Sequence, residues 1–416
     1  MTIRFTAPVL GLGLAFAIAA PAQAQTTFRI SHQLPPSHHI SQLLERFAED
    51  VEARSNGALD VQIFGASQAF SPEQHHPAVA RGDIEGAISV NFQWGNTIPE
   101  MNVVTIPYFF TDLDRIEKFP GSEAAAMLED KLLQRGVRNV AWFYTTRQSI
   151  FTSSNRPLVE LSDFEGVKIR GLNRLVDEGL VAVGAAPAAM PGSEVYQALQ
   201  TGVIDAGLTD VSAAYSRRFY EVQQYGTVAP FFTVYFHLYV NPAWFDGLDE
   251  ASRNAILEAA AEAERAAIPL TEETADAAIE QLRSVGMQLH IQSEEEAAAF
   301  EAAMQPPVMD AFLASSPDAQ ALIDAVENLC GRATGATRRV LRTETRRRCA
   351  AAFLPLRGRW PGGAADGSDG VIRAEGAKGR RPRAPYVRRR PTPLRPFGSK
   401  DPIRLRTLFG SGATFP

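Results

Sequence analysis

Along TTFRISHQL (residues 26–34), apolar Phe28 and Ile30 alternate with polar neighbours, and a period of two predicts a strand. The pattern then changes. In HISQLLERFAEDVEARSNG, residues Ile40, Leu43, Leu44, Phe47 and Val51 recur at the spacing of one helix face, and Gly57 follows the expected end. ALDVQIFG returns to a strand pattern. The chain therefore opens β-α-β, and such alternation predicts an α/β fold on a mainly parallel sheet.

Two later stretches echo each other. In SPEQHHPAVARGDIEGAISV (71–90) and PGSEVYQALQTGVIDAGLTD (191–210), a helical pattern stops at a glycine, Gly82 or Gly202, and a short apolar strand follows. Helix–glycine–strand recurs in any α/β protein, but two such units suggest two similar domains facing one cleft. Ligands of open α/β sheets sit beyond the carboxyl ends of the strands. Those ends fall at Asn91 and at Thr209-Asp210. Farther on, residues 250–285 are rich in Ala and Glu with helical spacing, long enough to span a domain or two. Pro269 lies inside and predicts a kink or a break. MQLHI reads as a strand, followed by helices through SEEEAAAFEAAM and SPDAQALIDAVENL.

The ends of the chain follow other rules. Arg4, an apolar run from Val9 to Ala20, and Ala22-Gln23-Ala24 form the pattern of a secretory signal peptide. The run of about twelve residues is too short to span a bilayer, which takes about twenty. Residues 1–24 are thus expected to be removed and the mature protein to be exported to the periplasm. Charge divides the rest: residues 331–416 hold 21 Lys and Arg against 5 Asp and Glu, whereas residues 1–330 hold 20 against 42. No periodicity survives after Cys330, so the segment 330–416 is expected to be disordered. Its Arg/Pro/Gly-rich composition fits a shifted reading frame better than a nucleic-acid- or lipid-binding tail, and no nucleic-acid partner is expected.

Candidate chemistry is sparse. GxSxG and GxxxxGK[ST] are absent, which does not by itself exclude an enzyme, but no catalytic constellation proposes itself and no enzyme is expected. The neighbouring pairs His38-His39 and His75-His76 lack metal-ligand spacing, so neither a metal nor a cofactor is expected. In VKIRGLNR a strand pattern runs into Arg170, Gly171 and Asn173. Arginine presents a planar fork that suits a carboxylate, and the glycine would let a ligand approach. A solvated strand end is the alternative. Arg147, between two apolar runs, must be paired or liganded. His32 and Gln33, at the end of the first strand, are candidates for cleft lining. Aromatic walls are offered by Trp94 and by VYFHLYV, where alternation places Tyr235 and His237 on one face and Phe236 on the other.

The stretches TTRQSIFTSSNRPL, LSDFEGVKIRGLN, SEVYQALQTGVIDA and RRFYEVQQY, in that order, resemble the periplasmic substrate-binding proteins of tripartite ATP-independent periplasmic (TRAP) transporters, the dicarboxylate- and sialic-acid-binding group. The resemblance covers about residues 26–329. It implies a two-domain periplasmic binding protein with hinge strands and a long helix spanning both domains. Residues 25–147 with about 236–275 would form domain I, and 148–235 with about 276–329 domain II. It also implies a monomer that closes on a small organic acid and docks on small and large membrane subunits. A periplasmic sensory receptor without transport is the alternative. On this resemblance the carboxylate-clamping arginine falls on Arg170, a second ligand-contacting arginine on Arg147 and an asparagine contact on Asn173. Further polar contacts fall near Gln33, Asn91, Thr209 and Asp210. The chain departs from the sialic-acid binders at Thr209, where they carry asparagine, and at Gly192, where they carry an aromatic residue.

Overall fold

The computed structural model of the chain describes residues 25–330. The expected signal peptide and the expectations for the basic segment from residue 331 onward lie outside the described residues. The β-α-β opening is present as β1 (Thr26–His32), α1 (His39–Arg54) and β2 (Leu59–Phe64). There follow α2 (Pro72–Arg81), β3 (Gly86–Val90), two short 3-10 segments at Asn91–Asn96 and Pro99–Thr105, α3 (Leu113–Lys118), α4 (Glu123–Gln134) and β4 (Arg138–Thr146). The chain then builds β5 (Ser149–Ser153), β6 (Lys168–Gly171), α5 (Arg174–Val181), β7 (Ala186–Ala189), α6 (Val195–Gln200), β8 (Ala206–Asp210), α7 (Val211–Ser216) and β9 (Tyr225–Ala229). It finishes with β10 (Val234–Val240), α8 (Pro242–Gly247), α9 (Glu250–Ser284), β11 (Gln288–Ile291), α10 (Glu294–Ser315) and α11 (Ala319–Glu327).

These strands form two sheets. The first has the order β2-β1-β3-β10-β4 and the second β11-β9-β5-β8-β6-β7. β1 pairs in parallel with β2 and β3, as the α/β alternation requires, while β10 runs antiparallel between β3 and β4. In the second sheet β5 is the antiparallel strand, between β8 and β9. The chain passes from one sheet to the other between β4 and β5 and returns between β9 and β10, each time through a few residues.

The echoed units occupy equivalent places. α2 ends at Gly82 (φ 80°) and α6 is followed by Gly202 (φ 71°), both left-handed, a conformation in which a Cβ would be strained. β3 and β8 then run through the middle of their sheets, and their carboxyl ends, at Val90 and at Thr209-Asp210, come to one cavity. β10 is buried at all seven positions because both faces of its sheet are covered. That is why VYFHLYV is nearly continuous in apolar and aromatic residues. Each such side chain contributes about 1.5–3 kcal/mol on burial.

α9 overturns the break, one of the two outcomes expected from Pro269. The helix runs unbroken for 35 residues, about 50 Å, with Pro269 inside it. One main-chain hydrogen bond is lost, but neighbours on either side of the proline are fixed by packing: Ala267 is fully buried, and Thr271 donates from Oγ1 to the Tyr144 carbonyl at 2.8 Å. α10 likewise continues through Pro306 and Pro307, with Met304, Val308 and Phe312 fully buried. Tertiary burial outweighs the local penalty in both. The first half of α9 covers the first sheet, and Ala275, Ala278 and Leu282 of its second half belong to the core of the second.

Candidate functional site

Arg170 stands near the end of β6, beside β8 and β7, and is 3% exposed. Its Nη1 donates to the Leu208 carbonyl at 2.8 Å, and Nε and Nη2 both reach the Met190 carbonyl at 3.3 Å. The guanidinium carbon lies 5.8 Å from the centre of the Phe92 ring. Main-chain carbonyls and one ring thus hold the cation, and no described carboxylate forms an ion pair with it. Burial first, and then the positive charge of Arg217, pull its pKa down from 12.5 to about 9, against the opposing fields of Asp210 and Asp177. At neutral pH it is a charged group short of a counter-ion.

Gly171 has a packing role: a Cβ there would lie 2.3 Å from Oδ2 of Asp177, so the glycine makes room for that carboxylate. Asp177 Oδ1 accepts from the Leu172 amide at 2.8 Å, and burial pushes its pKa up to about 6.

A cavity of about 30 Å³ opens at Arg170, between the sheets. Gln33, Thr209, Asp210 and Arg217 supply its polar walls, and Phe92 and Phe236 are among its apolar ones. Gln33 Oε1 and Arg217 Nε have no hydrogen-bond partner among the described residues. Asp210 caps α7, its Oδ1 accepting from the Ala213 amide and from Ser212 Oγ, each at 2.6 Å. Thus the ends of β1, β6 and β8 meet as their shared direction in the sheets requires. A second cavity of about 280 Å³ shares the Phe92 wall and extends past Trp94, His76, Asn173 and Met190. Trp94 is buried there with its Nε1 unpartnered among the described residues.

Other predicted residues are occupied elsewhere. Asn173 caps α5, its Oδ1 accepting from the amides of Leu175 and Val176, while Nδ2 donates to the Phe92 carbonyl at 2.9 Å and to Asn102 Oδ1 at 2.7 Å. It ties β6 to the segment that follows β3. Asn91 is fully buried and spends its side chain on the Met101 carbonyl, Thr105 Oγ1 and the Tyr235 amide. Arg147 turns to α9: its Nη2 lies 2.6 Å from Glu272 Oε2, and Glu272 also accepts from the Tyr144 hydroxyl. His32 accepts from the Leu34 amide at Nδ1 and is held neutral by burial, its pKa lowered to about 4.

Tyr235 and His237 require a correction. The alternation along β10 holds, but the cavity takes the opposite face, Val234 and Phe236. Tyr235 and His237 point into the core of the first sheet. The Tyr235 hydroxyl donates to the Ile116 carbonyl at 2.8 Å. His237 stacks on Trp142 with ring centres 5.0 Å apart and shares a 2.8 Å hydrogen bond with Asn139 Oδ1. A strand buried on both faces carries no sign in its own pattern of which face a ligand would meet.

Residues 30–315 match the family of bacterial extracellular solute-binding proteins, family 7, or DctP. The chain belongs to this family of TRAP periplasmic solute-binding proteins. It is 30% identical over 311 residues to the C4-dicarboxylate-binding periplasmic protein DctP of Rhodobacter capsulatus, a match covering 74% of this chain and 93% of the relative. Its fold matches a TRAP periplasmic solute-binding protein from Desulfovibrio salexigens with bound orotic acid, with TM-score 0.70, 27% identity, and 73% and 98% of the two chains covered. A TRAP periplasmic solute-binding protein from Shewanella oneidensis with bound succinate matches with TM-score 0.68 and 25% identity, over 74% and 99%.

In this DctP-family chain the cavity also contains residues that carried no mark in the sequence. Arg217 sits in a polar run after α7, where an arginine is ordinarily solvated. Phe232 was hidden among other apolar residues, whereas Val234 and Phe236 fall within VYFHLYV, on the face opposite Tyr235 and His237. The one usable signal was RRFYEVQQY, the motif that contains Arg217.

Proposed function

We propose that this chain is the exported, periplasmic solute-binding subunit of a TRAP transporter, that it captures an organic acid with Arg170 as the carboxylate clamp, and that it delivers the acid to the small and large membrane subunits. The observation that carries this reading is the state of Arg170: a cation 3% exposed, held by the carbonyls of Leu208 and Met190 and lacking a carboxylate partner among the described residues. Burying an unpaired charge is costly, and an incoming carboxylate supplies the missing counter-charge and accepts the remaining N–H donors. Relatives and solved neighbours carry organic acids by name, succinate and orotic acid among them, which agrees with that demand.

The cavity of about 30 Å³ has room for about one or two waters, so admission of an organic acid requires its walls to part. The short links between β4 and β5 and between β9 and β10 are the places for such a hinge, since each joins the sheets through a few residues. Ligand binding then shifts an open–closed equilibrium by its preference for the closed form. Export is by the leader ending at Ala24, cleaved before Gln25.

Thermal unfolding of the purified chain against a panel of organic anions tests the reading. A ligand at a hundred times its dissociation constant adds about 2.7 kcal/mol. At roughly 2–4 °C per kcal/mol that is a shift of several degrees. A shift for an acid and none for its neutral amide is the expected result. A cooperative transition that no carboxylate moves would overturn it.

A further inference from the structure

The side chain of Asn173 is used to its full capacity. Its Oδ1 accepts from the amides of Leu175 and Val176 at 3.1 and 3.3 Å, which fixes the other end of the side chain as the donor. Both N–H bonds of that Nδ2 go to residues that follow β3 of the first sheet: the Phe92 carbonyl at 2.9 Å and Asn102 Oδ1 at 2.7 Å. Asn173 itself follows β6 of the second sheet. Asn102 is fully buried and is oriented by its own Nδ2, which donates to the Pro99 carbonyl at 3.0 Å. Interlocked amides therefore join segments that belong to different sheets.

Gly95 belongs to this contact. A Cβ there would lie 2.6 Å from both Nδ2 and Oδ1 of Asn102 and 2.7 Å from Nδ2 of Asn173. Gly95 is not among the glycines with positive φ, so it answers to the space the amides take and not to backbone conformation. Asn102 lines neither of the two cavities, whereas Phe92 lines both, and its ring lies 5.8 Å from the Arg170 guanidinium. Holding the Phe92 main chain holds that shared wall. The polar contacts from the start of α1 to α7 are longer: Ser37 Oγ reaches the Ser216 carbonyl, and His39 Nδ1 the Ser212 hydroxyl, each at 3.3 Å. When the walls part, both Asn173 donors and the Asn102 acceptor meet water. When the walls close, these groups are buried and must find each other or stay unpaired. The contact therefore acts on the closed form.

We propose that Asn102 is a positioning residue for solute binding: it holds Asn173 against the Phe92 carbonyl across the junction of the closed cleft, and so sets how long a captured acid stays. Asn102 does this without touching the solute. The inference rests on the reading of the chain as a binder whose cleft closes on an organic acid, and it is independent of which residue clamps the carboxylate. Asn173 is thereby assigned to closure, since both of its donors are spent on the junction.

Stopped-flow fluorescence on the purified full chain tests it with succinate, D-glucuronate and pyroglutamate; Trp94, buried beside Gly95, reports closure. In Asn102→Ala the dissociation rate should rise about tenfold or more for each acid that wild type binds, the cost of leaving one buried donor unpaired. The association rate should stay within about threefold, because the contact forms after entry. Asn173→Ser keeps a capping oxygen for α5 but removes both donors, and should act alike. The double variant should dissociate no faster than the quicker of the two single ones, since either change breaks the same contact. Gly95→Ala alters neither amide and should also speed dissociation. Thermal unfolding of the ligand-free chains checks the fold, and if Asn102→Ala does not fold, Asn173→Ser and Gly95→Ala decide by the same rates. A dissociation rate within about threefold of wild type, a loss carried by association, or additive effects in the double variant overturns the assignment. Arg170→Gln separates the two readings. If Asn102→Ala is inert while Arg170→Gln abolishes binding, the clamp stands and the positioning role falls. If Asn102→Ala speeds dissociation while Arg170→Gln leaves binding intact, the positioning role stands and the clamp falls. If wild type binds none of these acids, both fall.

Discussion

Replacing Arg170 with glutamine removes a buried cation while leaving an N–H donor close to the carbonyls of Leu208 and Met190. The structure sets the size of the effect on both stability and binding. Burial and Arg217 pull the guanidinium from 12.5 to about 9, which puts the cost of holding the charge there without an anion at roughly 5 kcal/mol. Its hydrogen bonds to the two carbonyls return about 1.5–3 kcal/mol each. The two effects offset each other, so the unfolding midpoint of the ligand-free variant should stay within a few degrees of wild type. Binding has no such offset. A carboxylate about 4 Å from the guanidinium, at an effective dielectric constant of about 20, gains about 4 kcal/mol. Losing it should weaken an organic acid about a thousandfold. Titration calorimetry measures the affinity, and thermal unfolding measures the fold. A folded Arg170→Gln variant whose affinity for the acid stays within about tenfold of wild type would refute the reasoning.

Four other outcomes follow from the same geometry. Glu272→Gln weakens the bridge from Arg147 to α9 and the Tyr144 hydroxyl bond, and should cost about 2 kcal/mol in chemical denaturation; an unchanged midpoint would contradict the packing role. Asp177 has a folded-state pKa of about 6 against an ordinary 3.8, so the stability it contributes is complete below about pH 4 and lost as pH rises through 6. Asp177→Asn keeps an acceptor for Leu172 and should raise stability at pH 8 by up to roughly 3 kcal/mol relative to wild type, with no gain at pH 3.5. The buried histidines act in the opposite sense. His32, His39 and His75 at about 4 and His237 at about 3 are all depressed from 6.5, so their contribution is full above 6.5 and lost as pH falls toward 4; His237→Gln should flatten that acid slope in a denaturation series. Gly171→Ala drives a methyl group into Asp177 and should destabilise the fold by about 1–3 kcal/mol, with relief in the Asp177→Ser background.

Local chemistry made much of the protein legible from the chain alone. The period-two and helical patterns marked β1, α1 and β2 because each segment buries one face, and that burial leaves its spacing in the sequence. Gly82 and Gly202 announced two equivalent units because a left-handed turn admits few other residues. Arg170 could be singled out beside the end of a strand, where open α/β sheets place their ligands. The ordered motifs from TTRQSIFTSSNRPL to RRFYEVQQY pointed to the family that residues 30–315 match.

Decisions between segments distant in sequence belonged to the tertiary structure. Pro269 and Pro306 carry a local penalty that reads as a break, but burial of their neighbours exceeds it, and only packing could say so. Arg147 needed a partner, and Glu272, 125 residues away, meets it through the placement of α9. Tyr235 and His237 alternate as expected with Phe236, but a doubly buried strand does not encode which face lines a cavity. Gly192 and Arg217 have no meaning apart: the guanidinium of one occupies the space that a side chain at the other would take, because the fold brings them together. The sequence by itself determined the elements, the double α/β plan and the clamp candidate, since these depend on spacing and residue chemistry along one segment. Only the tertiary structure decided which charges are paired, which face lines the cavity and which cation is left without a carboxylate partner among the described residues, because those depend on what lies across the cleft.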